Sequence, residues 1–117
     1  MINPESYQEQ LLEELKDPQE SAAYLWAILQ EKEPEAELLE SSLQDVLEAL
    51  GNAKYTPKQV EKLRDKLAQI MTEKGSEVIY ELVNLLGILG LELTIKVKDS
   101  VEHTELSKIS EKEAIKL

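Results

Sequence analysis

Few residue types in this chain can do covalent or metal chemistry. Cysteine is absent, which removes disulfides, thiolate nucleophiles and thiolate metal ligands. His103 is the single histidine and stands in a polar stretch, the setting of a solvated side chain more than of a base or a ligand. Acidic pairs such as Glu13-Glu14 recur, but they fall on the polar faces of amphipathic runs. A general acid/base pair needs burial to move its pKa values, and no pattern here supplies it. Gly87 and Gly90, in LLGILG, do not follow a strand and so make no phosphate loop; Gly87 is read as a point of close helix packing. Tyr24 and Trp26 lie in an apolar stripe, which suits a core better than a cofactor-stacking site. The expectation is a protein that is not an enzyme and needs no cofactor or metal, so binding is the chemistry left to consider.

Binding here would be governed by charge. The chain has 117 residues, a formal net charge of −11 and a pI near 4.5. Such a surface repels phosphate in general and suits a basic protein partner. The charge is unevenly spread. Residues 1–53 hold thirteen acids and two lysines, whereas residues 54–74 hold six bases and three acids. Within this one basic island Lys54, Lys58, Lys62 and Lys66 are candidate contacts to the phosphates of double-stranded DNA, and Gln69 is a candidate reader of a base edge. The competing reading is that lysine is a good helix former on an exposed face, with Glu61 and Asp65 as neighbouring partners. So few lysines in so acidic a chain would bind DNA weakly and salt-sensitively, and two copies would be needed for useful affinity.

The elements that would carry these residues are helices. Four prolines, Pro4, Pro18, Pro34 and Pro57, each precede an amphipathic run and are read as first helical residues, where the missing amide costs nothing. Asp17 with Glu20 and Thr56 with Gln59 have capping-box spacing. The runs span about 4–16, 18–32, 34–50 and 57–74, and a fifth begins at Ser76 and closes at Gly90. Their apolar positions recur at helical spacing. Ala22, Leu25, Trp26, Ile28 and Leu29 form the stripe of the second run, and Gly51-Asn52 is read as the exit of the third. Between Thr56 and Lys74 no glycine or internal proline interrupts the apolar phase of Val60, Leu63, Leu67, Ile70 and Met71. One continuous helix fits that phase; a turn near Asp65-Lys66 is the other reading.

After Gly90 the period changes to alternation, with Leu91, Leu93, Ile95 and Val97 on one side, which predicts a half-buried strand. A lone strand has no ladder partner in its own sequence. Pairing with the same strand of a second copy would make a homodimer; an extended tail along a helical groove is the plainer reading. Residues 98–117 are a polar tail, read either as a loose helix around Leu106 and Ile109 or as disorder. The start, MINPESYQEQLLEEL, has neither the basic nor the apolar region of a signal peptide, and no apolar run is long enough to span a membrane, so a cytoplasmic location is the default expectation.

One segment matters as a whole. LKDPQESAAYLWAILQE, residues 15–31, resembles the N-terminal signature of the helix-turn-helix addiction-module antidote (antitoxin) family at Leu15, Lys16, Asp17, Pro18, Glu20, Ala22, Ala23, Tyr24, Leu25, Leu29 and Glu31. LLGILGLELTI, residues 85–95, looks like that family's ending, and LLESSLQDVLEALGNAK, residues 38–54, sits where its middle helix falls. The resemblance implies an all-α, compact, five-helix lambda-repressor-like domain over residues 1–97, here with one C-terminal β-strand. It also implies a transcriptional regulator that binds operator DNA, a small basic toxin, or both. Residues 55–75 depart from the family, which breaks this segment with a glycine-containing turn to aim a recognition helix. A relative that has lost DNA reading and acts as a protein-interaction module is the alternative.

Overall fold

The computed structural model describes residues 3–99, which form five helices: α1 (Pro4–Leu15), α2 (Pro18–Leu29), α3 (Ala36–Lys54), α4 (Pro57–Ile70) and α5 (Ser76–Ile88). Three helix starts follow the proline rule. Asn3 caps α1 by accepting the Ser6 amide at 2.8 Å, and Asp17 caps α2 by accepting the Gln19 amide at 2.9 Å. Thr56 and Gln59 form the full reciprocal capping box at the start of α4. At Asp17 the Glu20 half of the expected box does not form. Pro34 departs from the rule altogether: α3 begins at Ala36, after an uncapped Glu35, and Pro34 lies in the hinge before it. An N-terminal proline needs a capping residue before it, and Glu33 is a poor one.

α3 is the central element and packs against α1, α2 and α4. Leu43, Val46, Leu47 and Leu50 are its buried leucine-rich face, joined by Leu15, Leu25, Val60, Leu67 and Ile70 from its neighbours. Gly51 does not end this helix. It is helical and buried, and an added Cβ there would stand 3.4 Å from a methyl of Val60, so the glycine serves the close approach of α4. The helix runs on to Lys54.

α5 packs on α4 and buries Leu85, Leu86 and Leu89. Its end is a Schellman closure. Gly90 takes φ +92°, the Leu91 amide donates to the Leu86 carbonyl at 2.8 Å, and the Gly90 amide donates to the Gly87 carbonyl at 3.0 Å. Gly87 itself is exposed, with nothing near where its Cβ would be, so close packing is not its role.

The expected strand is not formed. The described residues after Gly90 contain no strand, and Ile95 and Val97 are 99% and 96% exposed. An extended segment closes a ladder only against another, and no other strand exists among the described residues to supply one. The domain is therefore all-α. No helix among these residues is long and apolar enough to cross a membrane. His103, Leu106 and Ile109, on which the tail reading rests, lie outside the described residues.

Candidate partner-binding surface

α4 is one uninterrupted helix from Pro57 to Ile70, so the part of the basic island that it carries has no internal turn. Three of the island's six cations are engaged by the fold. Lys54, at the end of α3, donates to the Leu89 carbonyl at 3.1 Å, and the Tyr55 hydroxyl beside it donates to the Ile88 carbonyl at 2.7 Å. These two bonds satisfy carbonyls that the last turn of α5 would otherwise leave unpaired. Arg64 forms a two-point ion pair with Glu48 of α3, its second nitrogen donating to Oε2 at 3.1 Å. The guanidinium holds the Glu48 carboxyl below the ordinary carboxylate range, and Glu48 in turn raises the Arg64 pKa. Lys66 pairs with Glu81 of α5 at 3.0 Å.

Lys58 and Lys62 are exposed one turn apart, with no ion pair among the described residues, and Gln69 is exposed on the same side. Of the five candidate DNA contacts, the fold thus leaves three together on an open face and holds Lys54 and Lys66 in internal contacts. Two exposed lysines without a turn to aim them make only a small basic patch.

The α4–α5 junction carries an acid pair that sequence spacing did not reveal. Oε2 of Glu73 and Oε2 of Glu81 are both sealed from water with no other hydrogen-bond partner. A hydrogen bond between the two carboxyls raises the pKa of Glu73 and lowers that of Glu81, the latter also drawn down by Lys66. A proton shared by the two carboxyls would give an oxygen of each a partner.

The other side of the molecule is acidic and partly apolar. α2 turns Ser21, Tyr24, Leu25 and Ile28 toward α1 and α3; Ser21 is fully buried and donates to the Leu15 carbonyl at 2.6 Å. The Tyr24 hydroxyl donates to Asp45, which also accepts from Gln8, and burial followed by the Asp45 charge raises the Tyr24 pKa. Trp26 is not a core residue: it is 61% exposed, on the same outward face as Ala22 and Leu29. The inward stripe is set by Ser21, Leu25 and Ile28, a phase hidden in the sequence because Ser21 is polar and α2 is apolar nearly all round. That all-round apolarity is the signal that could have marked its outer face as a surface.

Where α2 meets α3, Ile28, Leu29, Pro34, Glu35, Ala36, Leu38 and Leu39 line an open groove of about 270 Å³. Glu35 lines it, and Glu31, Glu33 and Glu37, all exposed, neighbour its lining residues in the sequence. A second groove, between α1 and α3, is lined by Glu9, Leu12, Glu13, Lys16, Glu48, Ala49 and Asn52. Both are acid-rich. At the opposite end, Leu91 is half-buried while Leu93, Ile95 and Val97, the remaining candidate dimer residues, present apolar side chains to solvent. No protein-family model, no curated protein and no solved structure matches the chain.

Proposed function

We propose that this chain is a non-enzymatic regulator of the antidote type that works by binding a small basic protein through its acidic α1–α3 side, as a relative that has lost the reading of DNA. The observation that carries this reading is the state of the basic island. α4 is unbroken, and Lys54, Arg64 and Lys66 are engaged within the fold. The segment through which the family would read a groove is here a structural helix. The acidic α1–α3 side supports the remaining half of the family's role, attraction of a basic toxin-like partner.

The test is a calorimetric titration of the purified chain with the product of the gene beside its own. Binding to a basic product that weakens steeply as salt is raised is expected. An adjacent product that is basic and does not bind, or a solitary gene, counts against the reading.

Lys58 and Lys62, exposed and without an ion pair among the described residues, favour a second reading in which a dimer contacts operator phosphates. A gel shift with DNA from upstream of the gene tests it: unchanged retardation by the variant Lys58→Glu with Lys62→Glu removes α4 from any DNA role. The dimer itself is proposed to form through residues 91–97, where Ile95→Lys should give a monomer by sedimentation.

A further inference from the structure

α2 carries two apolar faces, and among the described residues only one is covered. Trp26, Leu29 and Leu38 are 61%, 53% and 40% exposed, and Leu29 and Leu38 border the groove at the α2–α3 hinge. A helix apolar on both sides is normally buried on both, so its open face calls for a partner. Resting on the reading above that the chain binds a basic protein, we propose that this groove is the docking site for a basic amphipathic helix. The apolar side chains of that helix enter between Leu29 and Leu38 and cover Trp26. Its lysines or arginines face Glu31, Glu33, Glu35 and Glu37.

Three observations select this occupant. Residues 31–37, the segment that brings Pro34, Glu35 and Ala36 to the groove, hold four exposed glutamates in seven residues with one lysine, Lys32, among them. Such a cluster repels itself and gains from cations placed against it, whereas it repels an anionic lipid surface. The floor is apolar, so cations alone do not fill it and an amphipathic element is required. A second copy of this chain fits poorly, because the basic helix among its described residues is α4, and the apolar side of α4 (Val60, Leu67 and Ile70) is already buried.

Trp26 is the single tryptophan and reports the event directly. The free chain should show the emission of a water-exposed indole. Titration with a synthetic leucine–lysine peptide of about 18 residues, five helical turns, should shift that emission to the blue. A peptide of the same composition, scrambled to abolish the apolar face, should bind at least about tenfold more weakly. Leu29→Ser with Leu38→Ser changes exposed residues only, and should weaken peptide binding by about tenfold or more while leaving the circular dichroism unchanged. Glu33→Lys with Glu35→Lys should weaken it and flatten its salt dependence.

Undiminished binding by the serine variant overturns the groove while leaving the chain a binder of basic proteins. Failure of the peptide to bind the parent overturns both. A buried-type emission in the free chain, or a dimer that the serine variant dissociates, overturns the proposal by showing that the chain covers this surface itself.

Discussion

Replacing Gly90 with alanine tests whether Lys54 belongs to the fold and not to a ligand site. Gly90 stands at φ +92°, a conformation in which a side chain is strained by about 1–2 kcal/mol. The added methyl would also fall on Nζ of Lys54. The lysine is flexible and can swing aside, but doing so breaks its 3.1 Å bond to the Leu89 carbonyl. For a partly exposed bond that loss is worth about 1 kcal/mol. Gly90→Ala should therefore destabilise the parent by about 2–3 kcal/mol but the Lys54→Met background by only about 1–2 kcal/mol, where no such bond remains to be lost. Urea titration followed by far-ultraviolet circular dichroism reads the difference. With a slope of about 1–1.5 kcal/mol per molar, the midpoint should fall by roughly 2 M in the parent and roughly 1 M in the methionine background. Equal losses in both backgrounds would refute the reasoning, since Lys54 would then contribute nothing at the α5 terminus and would return to the list of free cations.

Ser21→Ala should lower stability by about 1–3 kcal/mol, because it leaves the last carbonyl of α1 buried without its donor; a loss within error of zero would mean that water reaches Leu15. Gly87→Ala should stabilise by about 0.5–1 kcal/mol through helix propensity, whereas a packing role for this glycine predicts a loss in the same urea titration. The acid pair has a definite sign. Because the folded pKa of Glu73 is raised above its ordinary 4.5, its contribution is complete below that pH and is lost as pH rises through the raised value. Glu81, whose pKa is lowered, contributes above 4.5 and loses its contribution as pH falls through its lowered value. Glu73→Gln should thus remove the decline in urea midpoint between pH 4.5 and neutrality, and a variant that declines like the parent would show that no proton is shared. Lys58→Met with Lys62→Met should leave the midpoint within about 0.5 kcal/mol of the parent, as expected for surface residues without partners.

Much of this architecture was legible in the order of residues, and the failures have local physical causes. Pro4, Pro18 and Pro57 marked helix starts because Asn3, Asp17 and Thr56 stand before them as caps. Pro34 follows a glutamate, and without a cap the chain delays its helix by two residues. Gly51 looked like an exit because glycine usually supplies left-handed backbone. Here its small size matters instead, and only the position of Val60 in space reveals that. The unbroken phase from Val60 to Met71 correctly indicated one helix. It could not indicate that Lys66 would meet Glu81, since that partner lies on α5. Trp26 was misplaced for a related reason. Two apolar stripes share α2, and a buried serine hydroxyl, not hydrophobicity, marks the inner one.

The clamp at the end of α5 sets how the molecule comes apart. α5 packs on α4 alone among the helices, and Lys54 and Tyr55 tie its far end back to the end of α3, where Leu89 also lies near Gly51. Lifting it away exposes Leu85, Leu86 and Leu89 but leaves the packing of α1, α2 and α3 intact. α5 is therefore the natural unit of partial unfolding, and its amides should exchange with solvent ahead of those of α3. Residues 91–97 leave from that same end, so a partner that captures them pulls on the loosest helix of the domain, and release of α5 becomes the step at which such capture is felt.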